Sequence, residues 1–226
     1  MERHCMERPT IRLGYAGFQG DMAQWRGFGS DLFGLQPIDG ERELRFRIDE
    51  RAWRIAVRQD DDPGLDYIGL EVDTHEALDA MAERLRHHGH PAEEDPELAA
   101  RRQVYRLLRT ESPDGTKIEL VIGGLTLSEP FASPTGATFV AGDAGLGHVL
   151  LLVPDIDAAL AFFVDVIGLR RSDSIEVVPG SDGHSLTAEN GTTSSPWRIF
   201  PVSQASTISI LKLTGSAPSA GSITGQ

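Results

Sequence analysis

One stretch of this chain is written twice. Leu13-Gly14-Tyr15-Ala16 returns as Leu146-Gly147-His148-Val149, and the copies stay in step beyond it. Asp21, Ala23, Phe28, Asp31 and Gly34-Leu35 follow the first copy; Asp155, Asp157, Phe162, Asp165 and Gly168-Leu169 follow the second. Self-similarity of this kind marks a repeated supersecondary unit and restricts the fold to arrangements in which copies of one unit pack together. The copies differ in one chemically telling place, Tyr15 against His148. A scaffold used twice with imidazole in one copy points to chemistry in that copy.

The local patterns describe the unit. Ile11–Phe18 reads as a strand, and Asp21 can cap a helix running to Phe33 with Met22, Trp25, Phe28, Leu32 and Phe33 inward. Leu44–Ile48 and Trp53–Val57 alternate as half-buried strands, giving βαββ, and Asp60–Gly64 is a loop. A second unit follows: strand Tyr67–Val72, a helix from His75 to His88 capped by Asp73-Thr74, a helical turn over Glu97–Arg102, then strands Val104–Arg109 and Lys117–Ile122. The third opens with strand Gly147–Val153 and a helix from Asp155 to Ile167, and Ile175–Val178 begins another strand. After Pro179 the text turns rich in Ser, Thr, Gly and Pro, and only Ile208–Leu213 resembles a strand.

The chain has 226 residues and a net charge of -13, which repels phosphate backbones and argues against a nucleic-acid partner. Arg101, Arg102, Arg106 and Arg109 read as solvated positions among acidic neighbours. Cys5 is the sole cysteine, which fits a reducing cytoplasm, and no apolar run approaches the roughly 18 residues of a membrane span. The N-terminus lacks an apolar signal region, and residues 1–10 read as a leader with Met6 as the expected start.

Several stretches together resemble the vicinal oxygen chelate superfamily, and within it the two-domain extradiol ring-cleaving dioxygenases of the dihydroxybiphenyl type. They are Leu13-Gly14-Tyr15, Phe46–Asp49, the Arg51-Ala52-Trp53-Arg54-Ile55-Ala56-Val57 run, Leu98–Arg102, Asp114-Gly115 with Glu119, and Gly145–His148 through Val153-Pro154-Asp155. The resemblance implies an α+β fold of paired βαβββ modules, with a complete N-terminal domain and a truncated C-terminal one. It implies a metal-free first domain at 11–128, a linker at 129–144, and the start of a metal-binding domain at 145–180. It implies Fe(II) held by two His and one Glu, a catechol-type aromatic substrate cleaved with O₂, and assembly into homo-oligomers. His148 matches the first metal ligand. Tyr15 and Tyr67 stand where His ligands would be in the first domain, and Glu119 stands at the carboxylate position, where it reads as a half-exposed strand residue.

The chain departs from that pattern at its end. No His follows His184 and no acidic residue follows Glu189, so the acid/base His, the second His ligand and the ligand Glu are missing. His184 reads as a solvated loop residue. The tail, 181–226, reads as frame-shifted and largely disordered: codons for Ala188–Thr193 permit Cys-Gly-Glu-Arg-His-His one base earlier, and those for Gln204–Lys212 permit Ser-Val-Asn-His-Phe-Asn-Leu-Glu-Val. The expectation is a dioxygenase lineage opening a biphenyl-type catechol, in a polypeptide that does not retain Fe(II) and is inactive. The alternatives are a non-catalytic binding protein of the bleomycin-resistance type and a glyoxalase-like isomerase, which Tyr15 and Tyr67 argue against.

Overall fold

The computed structural model describes residues 10–141, 145–176, 182–187 and 207–212. The first unit is β1 (Ile11–Gly20), α1 (Met22–Arg26), β2 (Gln36–Asp39), β3 (Glu43–Arg47) and β4 (Ile55–Gln59). The second is β5 (Gly64–Val72), α2 (His75–His87), β6 (Glu93–Glu94), α3 (Pro96–Arg102), β7 (Arg106–Glu111) and β8 (Lys117–Ile122). The third is β9 (His148–Val153), α4 (Ile156–Leu160), β10 (Arg170–Glu176), β11 (Asp182–Thr187) and β12 (Thr207–Lys212). The fold is α+β with βαβββ modules, as the sequence indicates.

Strand order makes the repeat explicit. The first two units share one eight-stranded sheet, β2-β3-β4-β1-β5-β8-β7-β6, and the third forms β10-β11-β12-β9. In every unit the first strand lies parallel to the last: β1 with β4, β5 with β8, β9 with β12. The two units of the first domain join through their first strands, β1 and β5, paired antiparallel.

Caps set the helices where the sequence places them. Asp21, Thr74 and Asp155 each accept backbone N–H groups at a helix start. The first helix departs from its expected course. After α1 the chain widens into a π-helical turn, Gly27–Leu32, so Phe28, Leu32 and Phe33, expected inward, are exposed. A π turn advances each residue by a smaller angle than an α turn, and the apolar stripe rotates off the core. The same widening occurs in the second copy at Ala161–Ile167, but there Phe162, Phe163, Val166 and Ile167 are buried. β2 and β6 lack the apolar alternation that marks a strand; sheet pairing alone defines them.

The largest core lies on the helix side of the sheets. Ile68, Leu70, Ile118 and Leu120 pack with Leu78, Met81 and Leu85 of α2, and with Val149, Leu151, Val153, Phe162 and Phe163 of the third unit. The third unit is therefore docked back-to-back on the first domain. Arg84 donates to the Ile167 carbonyl at 2.6 Å, and the Leu146 N–H donates to the Leu13 carbonyl at 2.7 Å. Within the described residues, no helix is long and apolar enough to cross a membrane.

Candidate functional site

On the face of the first domain's sheet opposite α2, the strands bring Tyr15, Tyr67 and Glu119 together. Tyr15 comes from the first unit; Tyr67 and Glu119 come from the second. Both rings need cross-strand glycines. Tyr15 lies opposite Gly69, and Tyr67 opposite Gly17. A Cβ at Gly69 would come within 2.3 Å of the Tyr15 ring, and one at Gly17 within 2.1 Å of the Tyr67 ring. Gly17 and Gly69 are thus sockets, and the Tyr-x-Gly pattern, written in both strands, is what lets the aromatic rings fill this face. Trp53 closes the stack, its ring 4.5 Å from that of Tyr15.

Arg102, from the end of α3, occupies the middle of this group. Its Nε and Nη2 donate to the Glu119 carboxylate at 2.9 and 2.8 Å, and its guanidinium lies 3.7 Å from the centre of the Tyr67 ring. The Tyr15 hydroxyl donates to Glu119 Oε2 at 2.6 Å. Glu119 is 4% exposed, so the expected half-exposed strand residue is a buried anion neutralised by a partly buried guanidinium. Arg102 is likewise no solvated surface residue; the three other arginines of that group keep the expected acidic company or lie exposed. Burial, reinforced by the Glu119 carboxylate, raises the Tyr15 pKa well above the ordinary range, and burial raises that of Tyr67. Both phenols stay protonated. The Tyr67 hydroxyl is buried without a hydrogen-bond partner.

The Arg51–Val57 run serves the same face structurally. Arg54, 2% exposed, pairs with Asp49 and donates to the Gly14 carbonyl at 2.8 Å, fixing the bend before Tyr15. Arg51 pairs with Glu71 at 2.7 Å, and the Trp53 indole donates to the Arg102 carbonyl at 3.0 Å. The cation that faces the Glu119 carboxylate on this side of the sheet is Arg102. Sequence reading missed that role. The available signal was an arginine ending a capped helix, two strands before the close of its unit, and on the second of those strands a single acidic residue between apolar neighbours.

His148 lies at the start of β9 on the face it shares with Leu150 and Leu152, and all three are exposed. Partial desolvation lowers the pKa of its imidazole. The register shows what surrounds it. The last strand β12 sets Thr207 opposite His148 and Ser209 opposite Leu150, as β4 sets Ala56 opposite Gly17. A single unit therefore offers His148 no carboxylate; in the first domain the carboxylate arrives from the neighbouring unit, on β8. Among the described residues no group of three or more His, Cys, Asp or Glu is placed to hold a metal ion. The described residues do not fit an Fe(II) site of two His and one carboxylate. His184, expected in a loop, lies on β11 opposite Ser174 and Ile210, half-buried, with Nδ1 lacking a partner. The other motifs sought in the tail fall on 188–206 and on β12; the former lies outside the described residues.

Comparison with known proteins locates the lineage. The family model for the dihydroxybiphenyl dioxygenase first domain matches residues 13–59. That of the glyoxalase/bleomycin resistance protein/dioxygenase superfamily matches residues 145–220, so the family likeness runs on past His184. The chain is 43% identical to 3-methylcatechol 2,3-dioxygenase of Pseudomonas putida, over 78% of this chain and 62% of the relative. It is 39% identical to biphenyl-2,3-diol 1,2-dioxygenase of Paraburkholderia xenovorans, over 75% and 59%. Among solved structures, a halotolerant catechol dioxygenase superposes with a TM-score of 0.78 at 28% identity, covering 89% of this chain and 64% of that one. A catechol 2,3-dioxygenase superposes with a TM-score of 0.71 at 29% identity, over 80% and 63%. The matches to the two curated relatives thus span 62% and 59% of their lengths.

Proposed function

The chain belongs to the glyoxalase/bleomycin resistance protein/dioxygenase superfamily, and from that membership we propose that it derives from Fe(II)-dependent extradiol dioxygenases that open 2,3-dihydroxybiphenyl or a related catechol with O₂. The likeness to dioxygenases acting on 3-methylcatechol and biphenyl-2,3-diol supports the substrate class. In that chemistry a face of two His and one carboxylate holds Fe(II) with positions left for the catecholate and O₂.

The second part of the proposal is that this polypeptide, as written, does not turn over catechols. One observation carries it: His148 stands on the exposed face of β9, whose neighbouring register positions, Thr207 and Ser209, supply no carboxylate or second imidazole. Affinity for Fe(II) comes from ligands placed together, and one imidazole is not enough. The chain's other residues do identifiable work. Arg102 and the Tyr15 hydroxyl already engage the Glu119 carboxylate. We attribute the missing motifs to a shifted reading frame in the tail, 181–226; codons in the gene that forbid the alternative reading would remove that explanation. The test of activity is ring opening of 2,3-dihydroxybiphenyl by this chain with added Fe(II), read as a yellow product. The expected result is no product above the protein-free control; sustained turnover would refute the proposal.

A second reading, a binding protein of the bleomycin-resistance type, is supported by the same absence of a ligand set, since sequestering a ligand needs none. Calorimetry of metal-free protein with catechols separates the two. Micromolar binding without turnover favours the binding protein, and no heat favours the inactive enzyme.

A further inference from the structure

In the first domain both unit-opening strands are covered on two sides. β1 lies between β4 and β5, and β5 between β1 and β8. The third unit repeats the strand order, yet among the described residues β9 has β12 on one side and no strand on the other. Edges of soluble sheets are normally blunted by charge, proline or a bulge. His148-Val149-Leu150-Leu151-Leu152-Val153 contains neither charged carboxylate or lysine nor proline, and its pairing with β12 runs without a register shift.

We infer that a second copy of this chain covers that edge, the two β9 strands pairing antiparallel about a two-fold axis. The chain itself holds the template. β1 and β5 pair with Tyr15 opposite Gly69, Ala16 opposite Ile68 and Gly17 opposite Tyr67, a local two-fold relating one unit to the next. His148 takes the place of Tyr15 in the repeat, so the same register puts Val149 on the axis and His148 opposite the partner's Leu150. A contact in which the same patch meets itself closes at two copies.

The side chains support the same occupant. Leu150 and Leu152 are 49% and 55% exposed on one face of β9, while Val149, Leu151 and Val153 are buried on the other. In the first domain the equivalent face is not exposed. Tyr15, Trp53 and Ala56 of one unit form a cluster with Tyr67, Leu107 and Val121 of the next, and that cluster exists because two units share a sheet. What buries this face is another unit with the same opening strand, and a second copy presents one. The inference stands apart from the catalytic reading: pairing would bring two imidazoles near each other, but the strands flanking them still carry Thr207 and Ser209 rather than a carboxylate.

The test is the mass of the unmodified chain in solution by light scattering, with two variants. The expected mass is that of two chains. Leu150→Lys, which sets charges on both sides of the axis at an exposed position, should convert the dimer to a monomer while near-ultraviolet dichroism of the tryptophans is unchanged. In a Cys5→Ser background, His148→Cys combined with Leu150→Cys should cross-link the chains on oxidation, because directly opposed Cβ atoms in antiparallel strands lie within disulfide reach. A monomeric unmodified chain overturns the inference. So does a dimer or larger assembly that survives Leu150→Lys, and so does a dimer that gives no cross-link.

Discussion

Tyr15 and His148 occupy the same place on the opening strand of two copies of one unit, and their surroundings are opposite. Around Tyr15 a neighbouring unit supplies Tyr67 and Glu119, glycines opposite both rings let them close, and Arg102 supplies the positive charge. Around His148 the register supplies Thr207 and Ser209, and the face beside it is apolar and open. The difference teaches that a site in this architecture is a property of a pair of units. One copy carries an imidazole without paired surroundings; the other has the paired surroundings, with a guanidinium as the cation beside Glu119.

The comparison breaks most readily at Arg102. If that guanidinium is what neutralises Glu119, Arg102→Met leaves a buried carboxylate unpaired and should lower stability by about 3–5 kcal/mol in urea unfolding. A loss under about 1 kcal/mol, the worth of a surface pair, would show that Arg102 is not the cation of this site. Tyr15→Phe removes one donor from the same carboxylate and should cost about 1–3 kcal/mol. Proton linkage sharpens this. Below the ordinary tyrosine range folded and unfolded chains hold the same phenolic protons, and pH has no effect through them. Above about pH 10 the unfolded chain gives up protons that buried Tyr15 and Tyr67 keep, so stability falls as pH rises. Thermal melts across pH 9 to 11 should show that fall, and Tyr15→Phe should flatten part of it. Tyr67→Phe has the smallest effect and the opposite sign. Its hydroxyl is buried without a partner, so removing it should raise stability by about 1 kcal/mol in the same assay.

Much of this was legible in the sequence. The repeat marked the unit, capping residues marked the helix starts, alternation marked β3 and β4, and the Ser112–Gly115 turn marked β7 and β8, to within a few residues. His148 and Tyr15 were recognised as equivalent positions because the text around them is shared. What stayed hidden depended on partners distant in sequence. Glu119 looked like a half-exposed strand residue because its neutralising group comes from α3, and Arg102 looked solvated for the same reason. Phe28, Leu32 and Phe33 looked inward because helical periodicity assumes an α turn, and the chain widens to a π turn there. His184 looked like a loop residue because Ser181–Ser185 has turn composition, yet sheet pairing made it a strand. Gly17 and Gly69 carried a readable signal, a glycine two places after each tyrosine, whose meaning needed the antiparallel register.

The most direct measurement is an anaerobic titration of the purified chain with Fe(II), followed by desalting and iron analysis, alongside His148→Ala. The account predicts that far less than one iron per chain survives desalting and that His148→Ala leaves the value unchanged. One firmly held iron per chain, lost in His148→Ala, would contradict it.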